Sequence, residues 1–186
     1  QPAMPSSVAL WSQGFAAELR DDAKGLTATL RRSDSNPLGS AAGYGVPGLP
    51  LDREATRAAL DFASTQTPVT AVQLSRGKAE ASLIFELALL LGDLGRLASD
   101  LLLFYTQEFA LVALPESMTT GSSIMPQKRN PDVFELVRSA QAVAMGSLTE
   151  ALSITTKLSS GYQRDLQRLK APLFRSIDLA GDTLEI

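Results

Sequence analysis

The 186-residue chain contains no histidine and no cysteine. Histidine is the usual general acid or base near neutral pH and the commonest metal ligand. Catalysis by this chain alone would therefore depend on serine, tyrosine, lysine or carboxylate groups, unless a histidine comes from elsewhere. The lack of cysteine excludes disulfides and thiolate chemistry, which fits a cytoplasmic protein.

The chain also lacks an excess of basic residues and any long apolar run. Its net charge is −3, and no basic stripe is present to meet phosphates, so we expect no nucleic-acid partner. Charged residues interrupt the most apolar stretch, 79–114, and no run approaches the roughly 20 residues of a membrane span. We also find no signal-like segment. These features predict a soluble, cytoplasmic protein without membrane contact.

Apolar residues recur every three or four positions along most of the chain, which predicts helices. The first helix is predicted over 5–33, and Asp52 is expected to cap a shorter one over 53–63. A loop rich in glycine and proline separates them, residues 36–50. Longer helices are predicted over 69–113 and 131–157, and a last one from about Pro172. No useful strand alternation is found, so the predicted fold class is all-α.

The length of the predicted 69–113 helix has a consequence for assembly. A helix of about 40 residues spans roughly 60 Å, whereas a compact globule of this size is roughly 40 Å across. The helix is also apolar on nearly all sides, at Phe85, Leu89 and Leu102 as well as along its main stripe. This pattern predicts a long-helix bundle shared among chains.

Residues 121–131 carry the most chemistry, with the sequence Gly-Ser-Ser-Ile-Met-Pro-Gln-Lys-Arg-Asn-Pro. Asn130 and Pro131 predict a helix start, a capping side chain followed by proline. A loop before a helix N-terminus can present hydroxyls, cations and free N–H groups to a carboxylate. The alternative is an ordinary connecting loop. A phosphate-binding P-loop is excluded because its second glycine and Lys-Ser/Thr pair are missing.

This eleven-residue string resembles the signature of the fumarase/aspartase superfamily, whose members eliminate fumarate from succinyl-type substrates. Residues 36–60, Gln127, Asp132 and 162–170 resemble the argininosuccinate lyase family within it. The resemblance implies β-elimination of argininosuccinate to arginine and fumarate, without metal or organic cofactor. It also implies the long-helix bundle of the superfamily's central domain, with helices shared across a homotetramer.

The resemblance assigns catalytic roles around the loop. Ser122 would be the base that removes the Cβ proton, and its anion would need nearby cationic or N–H donors. Lys128 and Asn130 would hold the substrate carboxylate as it gains charge. Glu135 would orient an active-site histidine.

Three further positions match substrate-binding residues of the family: Tyr162, Gln167 and Lys170. Without the resemblance, Tyr162 would be read as a packing residue and the other two as solvated side chains. Glu135 would likewise be read as a surface glutamate.

The 186 residues contain only part of what the family has. Gln1-Pro2-Ala3 resembles the end of the family's Thr-His-x-Gln-Pro motif, so the histidine would lie just upstream. We interpret residues 1–186 as the central helical domain, cut at both ends and without the family's N- and C-terminal domains. Because three subunits build each site in this superfamily, we expect the isolated chain to be inactive.

Two other functions remain open at this stage. One is an enzyme like adenylosuccinate lyase, which an assay of both substrates on the full-length protein would separate. The other is a non-catalytic helical protein derived from the lyase fold. The run 75–78, Ser-Arg-Gly-Lys, is either a helix start or a polar cleft lining, and we favour a structural role.

Overall fold

The computed structural model describes residues 3–186, so the part of the Gln-Pro-Ala motif at Gln1 and Pro2 lies outside it. Six helices and two very short strands follow one another in this part of the chain: α1 Val8–Ser33, β1 Ser35–Asn36, α2 Arg53–Ala59, β2 Ser64–Thr65, α3 Ala71–Leu74, α4 Lys78–Tyr105, α5 Asp132–Thr155 and α6 Lys170–Glu185. Short 3-10 turns occupy Glu116–Met118 and Arg164–Leu169. The prediction of an all-α fold is confirmed.

The two strands pair in parallel, with Ser35 opposite Ser64 and Asn36 opposite Thr65. Each is only two residues long. They therefore join the ends of two loops and do not form a sheet with a core of its own.

Helix α4 lies at the centre, with α1, α5 and α6 packed against it. Both α1 and α5 run antiparallel to it, since Trp11 meets Asp100 and Gly77 lies beside Thr155. Three buried apolar clusters line its length, around Leu91, Ile84 and Ala98. This helix supplies the largest share of the core.

The predicted helix over 69–113 is wrong at both ends. Gly77 adopts φ +92°, a left-handed conformation that interrupts the helix between α3 and α4. Its N–H donates to Glu80 Oε2 at 2.8 Å, while Arg76 Nε donates to Glu80 Oε1 at 3.2 Å. The run 75–78 thus has the structural role that we favoured, a helix start, while Ser75, Arg76 and Lys78 also line a cavity. At the other end α4 stops at Tyr105, since Thr106 is extended.

The corrected length changes the assembly argument. Helix α4 has 28 residues, or about 42 Å at 1.5 Å per residue, which is close to the roughly 40 Å diameter of a globule of this chain. Length therefore does not require partner chains. Exposed apolar side chains still do point to further contacts. They lie on the outer faces of α4, α5 and α6: Phe85, Leu89, Leu103, Leu136, Val143, Met145, Leu152, Phe174, Ile177 and Leu184.

The remaining boundaries agree with the sequence to within a few residues. Helix α1 starts at Val8, where the Ser7 side chain accepts from the Leu10 N–H. Asp52 caps α2 as predicted, but this helix stops at Ala59. Helix α6 starts two residues before Pro172 because a 3-10 turn leads into it. Within residues 3–186, no helix has both the length and the apolar content to cross a bilayer.

Candidate active site

The signature loop, residues 121–131, ends the connection between α4 and α5 and is closed at its base by a backbone pair. Thr120 N–H donates to Asn130 O at 3.0 Å, and Asn130 N–H donates to Thr120 O at 2.9 Å. The Thr120 hydroxyl also donates to the Asp132 carboxylate. The prediction that Asn130 caps α5 is wrong by one position, since Pro131 stands there. The bonds to Thr120 hold the Asn130 backbone in the loop stem, ahead of the helix.

Ser122 sits inside this loop with its hydroxyl oxygen turned toward the backbone. The Ser122 Oγ accepts from the Ile124 N–H at 3.3 Å and from the Met125 N–H at 3.2 Å. Ser122 is half-buried, whereas its loop neighbours are exposed. Two N–H donors on one hydroxyl oxygen favour its anionic form, which a serine base requires.

The two cations of the loop differ in their partners. Arg129 Nη2 lies 2.7 Å from Glu116 Oε1, and the Tyr105 hydroxyl donates to Arg129 O at 3.4 Å. Lys128 is exposed and forms no ion pair within residues 3–186. The Arg129 side chain therefore pairs with the 3-10 turn of the same α4–α5 connection, whereas the charge of Lys128 has no partner within residues 3–186.

Glu135 lies in the first turn of α5 and is exposed. Negative charge is favourable there because the helix N-terminus carries unpaired N–H groups. Ser122, Lys128, Asn130 and Glu135 thus lie together at one end of the bundle, around the start of α5.

Tyr162, Gln167 and Lys170 lie beyond the other end of α5. The Gln167 Nε2 donates to the Tyr162 hydroxyl at 3.2 Å. Lys170 is the first residue of α6 and is exposed. Gln167 also lines a cavity of about 620 Å³ between the 3-10 turn and the last turns of α5.

The two groups of predicted site residues are far apart in one chain. Helix α5, which separates them, has 24 residues, or about 36 Å at 1.5 Å per residue. A single copy therefore does not bring Ser122 to Tyr162.

Sequence reasoning missed a set of contacts beyond the C-terminal end of α5, near Tyr162. The Tyr44 hydroxyl lies 2.7 Å from Ser160 Oγ, and the Tyr162 N–H donates to Ala42 O at 2.8 Å. The only local signals were the glycines and prolines of residues 36–50 and the Ser-Ser-Gly run at 159–161. Those signals predicted loops but could not show that these two loops touch.

Solved structures with a similar helical bundle include an EDDS lyase and a fumarase. An EDDS lyase in complex with formate is 30% identical, with a TM-score of 0.73, and the match covers 87% of this chain and 33% of that one. A class II fumarase from Schistosoma mansoni has a TM-score of 0.82 over 98% of this chain and 43% of its own, at 19% identity. The fumarase likeness shows the fold alone.

Comparison of the sequence with protein families identifies the family of the chain. The model of the family described as Lyase matches residues 1–146. That span is well over half of the chain, so the chain belongs to this lyase family. The resemblance found in the signature loop is confirmed.

Individual relatives within the family are argininosuccinate lyases. The protein from Xanthomonas oryzae pv. oryzae is 47% identical over all 186 residues, which cover 43% of that relative. The protein from Sorangium cellulosum is 48% identical over 180 residues, 97% of this chain and 41% of its own length. The chain thus resembles argininosuccinate lyases throughout and spans about two fifths of their length.

Proposed function

We propose that this chain forms the central part of an enzyme that splits argininosuccinate into arginine and fumarate. The observation that carries the proposal is the Ser122 hydroxyl, which accepts two backbone N–H bonds. The same loop carries Lys128, which forms no ion pair within residues 3–186. Identity of 47% with argininosuccinate lyase over the whole chain supports the substrate. A variant of the EDDS lyase holds bound fumarate, the proposed product. The reaction as proposed uses neither metal nor organic cofactor.

The proposed chemistry is a β-elimination. The Ser122 alkoxide takes the Cβ proton of the substrate, and the Ile124 and Met125 N–H groups stabilise that alkoxide beforehand. Lys128 and Asn130 hold the adjacent carboxylate as charge moves onto it. The electron pair of the broken C–H bond then forms the carbon–carbon double bond of fumarate while the C–N bond to arginine breaks. The electrons of the C–N bond stay on the guanidino nitrogen of the leaving arginine, which takes up a proton from solvent. Glu135 is proposed to orient a histidine from outside this chain.

The substrate would bind between groups from different copies. Tyr162, Gln167 and Lys170 are proposed to bind it, yet about 36 Å of α5 separates them from Ser122 in one chain. A homotetramer that places the α5 start of one copy beside the α6 start of another would complete each site. The exposed apolar faces of α4, α5 and α6 provide surface for those contacts.

The same proposal covers the domain organisation. Residues 1–186 would be the central helical domain, with the N- and C-terminal domains of a longer enzyme completing the site. The isolated 186-residue chain would then turn over argininosuccinate slowly or not at all, because the histidine is missing. A cytoplasmic location fits this activity and remains a prediction.

The test is Ser122→Ala in the full-length protein, with fumarate formation followed by ultraviolet absorbance. We expect kcat to fall by about a thousandfold or more while the tetramer stays intact by light scattering. Ser123→Ala is the matched control, since the Ser123 hydroxyl makes no hydrogen bond within the part of the chain that the structure describes. It should retain activity within about threefold of wild type.

Other results would overturn the proposal. Turnover of adenylosuccinate in preference to argininosuccinate would favour the adenylosuccinate-lyase-like enzyme. Full-length wild-type protein that forms fumarate from neither substrate would favour a structural protein derived from the lyase fold. Equal losses in the Ser122 and Ser123 variants would remove Ser122 as the base.

A further inference from the structure

We propose that the glycine-rich segment 39–45 is a positioning element for Tyr162, and that it controls how tightly the substrate binds. This inference rests on the proposed function of Tyr162. Nothing in the segment needs to touch substrate. Its effect comes from three consecutive contacts that fix the backbone on which Tyr162 is carried.

The first contact is a backbone approach between two glycines. A Cβ added to Gly43 would lie 2.8 Å from Gly161 Cα, closer than real Cβ atoms come to other heavy atoms. The obstacle is backbone, so no side-chain rotation relieves it. Both residues also have positive φ, +129° at Gly43 and +85° at Gly161, which disfavours other residue types. Glycine is therefore required at Gly43 by the close approach, and it is favoured at Gly161 by the backbone conformation.

Hydrogen bonds flank this approach on both sides. The Tyr162 N–H donates to Ala42 O at 2.8 Å, and the Tyr44 hydroxyl lies 2.7 Å from Ser160 Oγ. Residues 42–44 thus engage residues 160–162 by backbone and by side chain. Together with the glycine contact, these bonds fix the direction in which Tyr162 leaves the loop.

The segment can act as a support because it is itself held firmly. Ser40 O accepts from the N–H groups of Gly43 and Gly45, both at 2.9 Å. Upstream, the fully buried Asn36 donates to Arg53 O at 2.9 Å and accepts from the Leu38 N–H at 3.1 Å. The segment is therefore anchored to the start of α2.

A displacement of Tyr162 would reach the proposed substrate groups directly. Its hydroxyl accepts from Gln167 Nε2 at 3.2 Å, so a shift of the Tyr162 backbone separates this pair as well. Because these groups are proposed to bind substrate and not to transfer the proton, the loss should appear in KM. A variant that merely unfolds part of the enzyme lowers the apparent kcat and leaves KM unchanged.

The experiment compares Gly43→Ala, Tyr44→Phe and Gly48→Ala in the full-length protein. We expect KM for argininosuccinate to rise about tenfold in Gly43→Ala and about fivefold in Tyr44→Phe, the size of one lost hydrogen bond. In both, kcat should stay within about threefold of wild type. Gly48→Ala is the matched control from the same loop, since nothing lies within 4 Å of its added Cβ. It should leave KM unchanged.

Two further measurements keep the outcomes separable. Tyr44→Phe keeps the backbone intact, so it reports even if Gly43→Ala fails to fold, and Ser160→Ala should add nothing to its effect. Amide hydrogen exchange at Tyr162 should speed up about tenfold in Gly43→Ala but not in Gly48→Ala. This readout needs no turnover. A wild-type protein without turnover would therefore reject the proposed function. Unchanged hydrogen exchange in Gly43→Ala, or an unchanged KM in Gly43→Ala and Tyr44→Phe, would reject the positioning role.

Discussion

The Trp11 indole N–H donates to the Asp100 carboxylate at 2.7 Å and ties the first turns of α1 to the last turns of α4. The rings of Phe15 and Phe104 lie edge-on to the indole, with centroids 5.4 and 5.5 Å away. The bond is partly buried and its acceptor is charged. Asp100→Ala should therefore lower the free energy of unfolding by about 1.5–3 kcal/mol.

Urea unfolding followed by fluorescence measures this effect, because Trp11 is the only tryptophan. Asp100→Asn should cost less, since its amide oxygen can still accept the bond. Asp178→Ala, at an exposed position of α6, is the control and should change stability by less than about 0.5 kcal/mol. Equal losses at Asp100 and Asp178 would contradict the assignment.

Asp22 should make stability depend on pH. It is only 8% exposed between α1 and α4, and its Oδ2 has no hydrogen-bond partner among residues 3–186. Burial, followed by repulsion from Asp93, Glu18, Asp21 and Glu86, raises the pKa of its carboxyl above the usual 3.8. The protonated form is thus favoured in the folded state. Its stabilising contribution is complete below pH 3.8 and is lost as pH rises through the folded-state pKa.

Asp22→Asn removes this loss and should stabilise the protein at pH 7, by an amount on the order of 1 kcal/mol. The advantage over wild type should shrink as pH falls toward the usual aspartate range. Urea unfolding at several pH values gives the difference in free energy of unfolding between Asp22→Asn and wild type. Asp178→Asn, at an exposed position, is the control. A difference between Asp22→Asn and wild type that stays constant with pH would argue against a raised pKa.

The two loop cations should respond differently to loss of charge. Lys128 has no ion-pair partner within residues 3–186, whereas Arg129 pairs with Glu116. If Lys128 stabilises the transition state, Lys128→Gln in the full-length protein should lower kcat by about 100-fold. Arg129→Gln should act mainly through the loop and cost less than about tenfold. Steady-state kinetics of the two variants measure these losses in kcat. A larger loss in Arg129→Gln than in Lys128→Gln would contradict the proposed role of Lys128.

The group around Ser122 and the group around Tyr162 lie at opposite ends of α5. This separation predicts that a variant defective in one group restores the activity of a variant defective in the other. Full-length Ser122→Ala and Lys170→Met proteins are each expected to form little fumarate at a substrate concentration well below their KM. When they are unfolded together and refolded as a mixture, about a quarter of the sites should draw each group from an intact copy. Fumarate formation should return to that fraction of wild type. No recovery, despite mixed tetramers by mass spectrometry, would mean that one copy supplies both groups.

Local signals predicted some parts of the fold well. The three-and-four spacing of apolar residues found α1 and α5, and Asp52 was recognised as the cap of α2, because capping and amphipathicity act within a few residues. The same spacing wrongly predicted one continuous helix over 69–113, although the chain breaks at Gly77. Only the nearby Thr155 and the Glu80 bonds show why the chain turns there.

The sequence by itself determined the all-α class, the signature loop and the resemblance to argininosuccinate lyases, since periodicity and motif letters are local properties. Tertiary structure decided the rest. It paired Arg129 with Glu116, brought Gly43 against Gly161 and joined Trp11 to Asp100. These are relations between segments that pack together only in the folded chain, and no local pattern encodes their distances.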